Sequence, residues 1–108
     1  MRMWAVNPKV LCQKHLLGEH CETHMFIGTI KKGISIQGYI DKGLVNPARI
    51  IERHDLLAKE MTRRGMKHRS PIPIIKLPPE KPIAVKHSLR ELKRRCPDCR
   101  ARILKEVG

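Results

Sequence analysis

Residues 15–24 read HLLGEHCETH and contain three histidines, two glutamates and one cysteine. A solvated helix surface does not need so many ionisable and metal-binding side chains in so short a stretch. Each residue of an α-helix advances by about 100°, which places His15 and Glu22 on one face of the helix. His20 and His24 fall on roughly the opposite face. The stretch therefore predicts a helix with two chemically different faces.

The sequence on either side carries signals for the two ends of this helix. Asn7-Pro8 is typical of a helix start, because asparagine caps the first turn and proline is favoured at the first helical position. Gly33 follows two lysines and is typical of a helix end. We therefore predict a first helix over residues 8–32. Gly18 inside it costs about 1 kcal/mol relative to alanine, so we expect another backbone to approach closely there.

A second helix is predicted over residues 47–64. Asn46-Pro47 repeats the start signal, and Arg63-Arg64-Gly65 ends the pattern. Between them, an apolar stripe recurs at helical spacing: Ile50, Ile51, His54, Leu57, Ala58 and Met61. The opposite face is basic, and we expect it to be either solvated or in contact with phosphates: Arg49, Arg53, Lys59 and Arg63.

The remaining segments complete an all-α prediction. Residues 34–40 are bracketed by glycines and are predicted to form a loop with extended character. Five prolines within residues 70–83 exclude a helix and predict a polyproline-like strap. A capping box that begins at Ser88 predicts a short third helix ending near Arg95. We expect one compact domain over residues 1–108, with about three helices, the strap and a carboxy-terminal Cys-x-x-Cys knuckle.

The composition favours a polyanionic partner. The chain has 23 Lys and Arg against 10 Asp and Glu, a formal net charge of +13 at pH 7. Nucleic acid is the leading candidate, although one Trp, one Tyr and one Phe are too few aromatic side chains to stack a single strand. It has no long apolar run and no signal-type segment. We therefore expect a monomeric, cytoplasmic protein of bacterial, archaeal or viral origin that does not bind membranes.

Cys96-Pro97-Asp98-Cys99 has the spacing of a zinc knuckle, because two thiolates at this separation can occupy adjacent vertices of a zinc tetrahedron. It is half of a site. Two pairs on the first helix can complete it: Cys12 with His15, or Cys21 with His24. A redox dithiol and unligated reduced thiols remain the open alternatives.

The His20 and His24 pair, one helical turn apart, can also hold a metal ion. Glu22 lies between them in sequence but points away from both on a straight helix. Such pairs more often line a core or a groove that faces DNA. We therefore expect the latter role for the two histidines.

Four features together resemble the endonuclease V-like pyrimidine-dimer DNA glycosylase family: Met1-Arg2, the HLLGEHCE motif over residues 15–22, Gly28 with its following basic run, and Arg63-Arg64-Gly65. They span roughly the first two thirds of the chain. The resemblance implies a DNA repair glycosylase with AP lyase activity, whose partner is double-stranded DNA. Such an enzyme attacks the damaged nucleotide with an amino-terminal amine and needs no cofactor for catalysis.

The resemblance also implies roles for individual residues. It assigns the nucleophilic α-amine to Met1 and proton transfer to Glu22, and it assigns DNA contacts to Arg2 and His15. Arg2 should block removal of the initiator methionine, which keeps the Met1 amine in place. An α-amine is appreciably unprotonated at neutral pH and forms imines readily. The remaining basic side chains that we expect to contact DNA are His20, His24, Lys31 and Lys32.

The sequence departs from the family pattern at the phosphate contacts. Cys21 and Met25 stand where the family carries arginines, and the Cys96/Cys99 knuckle replaces its aromatic tail. The departures therefore leave two substrates open, a pyrimidine dimer or a related lesion. A non-catalytic, zinc-stabilised DNA-binding protein is the alternative function, and the net charge supports both equally. Met1-Arg2 together with Glu22 favours the enzyme.

Overall fold

The computed structural model describes residues 1–68 and 70–107 as helices joined by short connections and one long strap. The five α-helices of this part are α1 (Gln13–Lys31), α2 (Gln37–Asp41), α3 (Ile50–Arg63), α4 (Val85–Arg95) and α5 (Pro97–Val107). Two 3₁₀ turns, Pro8–Val10 and Pro47–Arg49, precede α1 and α3. The described residues include no β-strand, and none of their helices is long and apolar enough to cross a membrane. The all-α prediction is confirmed.

The first helix begins later than predicted. Asn7 does cap a turn, but that turn is the 3₁₀ turn Pro8–Val10. The backbone is extended at Cys12, which becomes the cap of α1, and the helix proper starts at Gln13. Its end agrees with the prediction, because Gly33 adopts a φ of 75° that glycine tolerates without strain.

Helices α1 and α3 pack against each other around a buried ion pair. The guanidinium of Arg53 donates from Nε to Glu19 Oε2 at 2.5 Å and from Nη2 to Glu19 Oε1 at 3.0 Å. Its Nη1 donates to the Val6 carbonyl at 2.6 Å. The predicted solvated or phosphate-binding position of Arg53 is therefore wrong. The residue shares the helical period of buried Ile50 and Leu57, and so it faces α1.

Two other arginines of the predicted basic face, Arg49 and Arg63, form ion pairs with carboxylates. Arg49 pairs with Glu52 and Glu80 on the surface. Hydrogen bonds from Arg63 lower the pKa of the Glu60 carboxyl to about 2; burial acts to raise it, and Arg64 adds a further lowering contribution.

Arg64 also ties the end of α3 to the start of the chain. Its Nη2 donates to the carbonyls of Leu11 at 2.7 Å and Pro8 at 3.2 Å. Pro8 is the first residue of the 3₁₀ turn and Leu11 follows that turn, so both carbonyls lie outside α1. The basic end of α3 thus satisfies backbone acceptors near the amino-terminal segment.

The amino-terminal segment runs between the two parts of the apolar core. Met3 packs with Phe26 in one part, whereas Trp4 and Val6 belong to the other. The Met3 N–H donates to the Leu44 carbonyl at 2.6 Å. These contacts anchor the chain immediately after its first two residues, so the terminus has a defined position.

The connections differ from the prediction in two places. Residues 34–40 were predicted as an extended loop, but part of that segment forms the short helix α2. Helix α4 begins at Val85, and Ser88 is buried inside it instead of capping it. The proline-rich strap that precedes α4 is free of helix at its described residues, as predicted.

The Cys-x-x-Cys knuckle continues into a helix that the sequence patterns did not predict. Pro97 is the first residue of α5, a position that proline favours. Helix α5 packs against α4 and against the 3₁₀ turn Pro8–Val10. The carboxy-terminal pair of helices therefore returns to the amino-terminal part of the chain.

Candidate functional site

An open cleft of about 510 Å³ lies beside the amino terminus. The terminal segment, one face of α1 and the end of α4 supply most of its walls. The residues that line it include Met1, Arg2, His15, Gly18, Glu22 and Arg95. The cleft thus brings together Met1 and Glu22, which the resemblance assigned to catalysis.

The Glu22 carboxylate is held at the start of the chain. Its Oε2 accepts a hydrogen bond from the Arg2 backbone N–H at 3.2 Å, one peptide unit from the Met1 amine. Gly18 lies one turn earlier on α1, and apart from its chain neighbours and the backbone of its own helix no described atom lies within 4 Å of the position that a Cβ there would occupy. The close backbone approach predicted at Gly18 is therefore wrong. The missing side chain instead leaves space in front of Glu22.

Two arginines, Arg2 and Arg95, line the cleft, and Arg95 pairs with Glu91 at 2.9 Å. The Arg2 guanidinium stacks 3.7 Å from the centroid of the Trp4 ring. Burial and the nearby Arg95 lower the pKa of Arg2 from its ordinary value. Its buried Nε has no hydrogen-bond partner among the described residues. A phosphate bound in the cleft would offset the positive charge of Arg2.

Cys12, His15, Cys96 and Cys99 form a second group, here called the cysteine–histidine cluster. The Cys12 Sγ lies 3.8 Å from Cys96 Sγ and 3.2 Å from His15 Nδ1, and Cys99 Sγ lies 3.5 Å from His15 Nδ1. A tetrahedral zinc ion with ordinary bond lengths needs sulfur–sulfur separations of about 3.8 Å and sulfur–nitrogen separations of about 3.6 Å. The four side chains therefore fit zinc.

The two helices that meet at this cluster favour thiolates. Cys12 Sγ accepts a hydrogen bond from the His15 N–H at the start of α1, and Cys96 Sγ accepts one from the Cys99 N–H at the start of α5. Helix amino termini attract negative charge. Of the two pairs that the sequence left open, the structure selects Cys12 with His15, and it leaves Cys21 exposed.

Burial and hydrogen bonding act differently on the two knuckle thiols. Burial raises the pKa of Cys99 to about 12. Burial also opposes ionisation of Cys96, but hydrogen bonds from Cys99, Cys12 and the Asp98 amide outweigh it and lower the pKa of Cys96.

A third group, the histidine cluster, consists of His20, His24, His54 and His68. One nitrogen from each ring lies within 4.8 Å of the others. Burial, with the neighbouring histidines His54, His68 and His24, lowers the pKa of His20 to about 4. The sequence patterns predicted the pair on α1 but placed His54 in the apolar stripe of α3 and indicated no role for His68. For His54 and His68, the residue type alone was the signal in the sequence that could have indicated a shared site.

The residues predicted to contact DNA lie in different surroundings. Arg2 and His15 border the cleft, and Lys31 and Lys32 are exposed at the carboxyl end of α1. His20 is 6% exposed and lies with His24 in the histidine cluster. DNA contacts by these residues remain predictions.

Comparison with known proteins identifies the family of the chain. A sequence model of a protein family described as pyrimidine dimer DNA glycosylase matches residues 1–73. This range contains α1, α3 and the whole histidine cluster, but it ends before the Cys96/Cys99 knuckle. No curated protein and no solved structure shows significant similarity to the chain. Because the family model covers well over half of its length, the chain belongs to the pyrimidine dimer DNA glycosylase family.

Proposed function

We propose that the protein is a DNA glycosylase with AP lyase activity, which excises a pyrimidine dimer or a related lesion and then cuts the strand. The observation that carries this proposal is the Glu22 carboxylate bound to the Arg2 backbone N–H in the cleft. It sets a proton acceptor beside the Met1 amine. A protein that only binds DNA has no need for this pairing.

In the proposed reaction, the neutral Met1 amine attacks C1′ of the damaged nucleotide. The C1′–N glycosidic bond breaks, and the base leaves with the bonding electrons and takes up a proton. Opening of the sugar ring gives an imine between Met1 and C1′. Glu22 then removes a proton from C2′, the 3′ phosphate leaves by β-elimination, and water releases the product from Met1.

The positive side chains of the cleft suit the flanking phosphates. Arg2 and Arg95 face it from opposite ends of the chain, and Lys14 contributes a third charge from α1. Arg95 lies outside the range matched by the family model. The carboxy-terminal helices therefore supply part of the proposed DNA contact.

Strand cleavage on defined duplexes tests this function. We expect cutting at a single cyclobutane pyrimidine dimer and at a pre-made abasic site, with none on the undamaged duplex. Cutting of the abasic duplex alone would assign the lyase step and point to another lesion. Tight binding without cutting of any duplex would support the non-catalytic DNA-binding alternative.

Binding to undamaged duplex should depend steeply on salt, because phosphate contacts account for it. If roughly five phosphates are neutralised, the logarithm of the binding constant should fall with that of the salt concentration at a slope of about −4 to −5. Fluorescence anisotropy across a salt series measures this slope. A flat response would contradict the electrostatic basis of the proposal.

We further propose a structural zinc ion in the cysteine–histidine cluster. It would join α1 to the carboxy-terminal helices and so hold Arg95 at the cleft, without a part in the chemistry. Cys96→Ser should remove about one equivalent of zinc and lower the melting temperature, since a structural zinc contributes directly to folding. Cys21→Ser is the matched control, because Cys21 is exposed and outside the cluster. Equal metal content and melting temperature in both variants would refute the site.

A further inference from the structure

The histidine cluster has no part in the proposed reaction. The chain has six histidines. The four that form the cluster come from two helices and from the segment after α3. His20 and His24 project from α1, His54 from α3, and His68 from the start of the long connection. Glu22 is two residues from each of the α1 histidines, which places it on roughly the opposite side of that helix.

The spacing of the ring nitrogens suits a single metal ion. His20 Nε2 lies 2.8 Å from His68 Nε2, and ligand nitrogens of all four rings lie within 4.8 Å of one another. Four nitrogens around a tetrahedral zinc ion are about 3.3 Å apart. Shifts of rotatable side chains by about an ångström or less would reach this geometry.

Hydrogen bonding within the cluster leaves nitrogens without proper partners. The Nε2 of His24 is buried and has no partner among the described residues. The facing nitrogens of His20 and His68 share one hydrogen bond at most. An ordinary polar core would satisfy these atoms, whereas a metal ion accepts all of their lone pairs at once.

His54 already has the second contact typical of a metal ligand. Its Nδ1 lies 2.9 Å from Asp55 Oδ1, so this nitrogen donates to the carboxylate. In the neutral ring this leaves the lone pair on Nε2, which lies 3.1 Å from the Ser70 carbonyl, itself an acceptor. A metal ion at Nε2 would replace this contact between two acceptors, and water could then donate to the carbonyl, because Ser70 is exposed.

We propose that His20, His24, His54 and His68 bind one first-row transition-metal ion, with zinc as the principal candidate. Imidazole is a good ligand for zinc, copper, nickel and iron. Four protein ligands close the coordination sphere, which is typical of a structural site. The ion would fasten α1 to α3 and fix the beginning of the proline-rich strap.

Metal analysis of the untagged protein, purified with zinc in the medium, tests this site. We expect about two equivalents of zinc per chain, one from each cluster, and about one equivalent in His24→Gln and in His68→Gln. His87→Gln should keep both, because His87 is exposed on α4 and belongs to neither cluster. Cys96→Ser should lose the zinc of the cysteine–histidine cluster and keep the zinc of the histidine cluster. The two metal proposals can therefore fail separately.

X-ray absorption at the zinc edge of the wild-type protein tests the site even if the variants do not fold. Two filled sites predict an average of about 1.5 sulfur and 2.5 nitrogen ligands per zinc, against about 3 sulfur and 1 nitrogen for the cysteine–histidine cluster alone. The second pattern would overturn the proposal. A stoichiometry unchanged in folded His24→Gln and His68→Gln would also overturn it.

Discussion

Glu22→Gln is expected to slow strand cleavage at an abasic site at least about 100-fold, the usual scale of general acid–base assistance. Glutamine preserves the shape of the side chain and can still accept the hydrogen bond from the Arg2 N–H. It cannot take a proton from C2′. Imine formation by Met1 should therefore persist in part while elimination stalls. Single-turnover cleavage of an abasic duplex measures the loss.

Glu52→Gln is the matched control for this experiment. Glu52 is an exposed carboxylate on α3 and does not line the cleft. The Glu52→Gln substitution removes the same charge from the protein as Glu22→Gln. Its cleavage rate and its affinity for DNA should stay close to those of the wild type. A Glu22→Gln protein that cuts at the rate of Glu52→Gln would remove Glu22 from the proposed mechanism.

Arg53→Gln should destabilise the fold by about 3–5 kcal/mol, because it leaves the Glu19 carboxylate buried without its cation. The side chains of Arg53 and Glu19 are 6% and 0% exposed, so water cannot replace the lost hydrogen bonds. The Val6 carbonyl loses a donor as well. Urea unfolding followed by the fluorescence of Trp4, the one tryptophan of the chain, reports the change in free energy.

Arg49→Gln provides the comparison on the same helical region. Arg49 pairs with Glu52 and Glu80, but all three side chains are about half exposed. Water and salt screen exposed ion pairs, so this variant should unfold close to the wild type. Equal losses of stability in the two variants would show that the Glu19–Arg53 pair is not a buried structural element.

Local signals in the sequence placed α1 and α3, but they predicted neither α2 nor α5 and did not identify the partners of the charged residues. The apolar period of α3 predicted most of that helix, and the glycine after α1 predicted where α1 ends. Arg53 was misassigned because its charge suggested solvent, although its position in the helical period is that of a buried residue. Only the tertiary contact with Glu19 explains how α3 tolerates it.

The candidate site was likewise predictable only where the sequence itself linked its residues. Met1 and Glu22 could be paired from the sequence because a family resemblance linked them. The Cys96/Cys99 knuckle identified half of a metal site, yet the choice between Cys12 and Cys21 depended on how α5 returns to α1. The histidine cluster joins His20 to His68 across a distance in sequence that no spacing rule covers.

Borohydride trapping on an abasic-site duplex tests the central claim most directly. Reduction converts an imine between protein and C1′ into a permanent bond, and peptide mass spectrometry locates that bond. We expect a cross-linked complex with the DNA attached to the α-amine of Met1, and we expect it to disappear when that amine is acetylated. A cross-link on a lysine side chain, or cleavage that survives acetylation, would contradict the assignment of Met1 as the nucleophile.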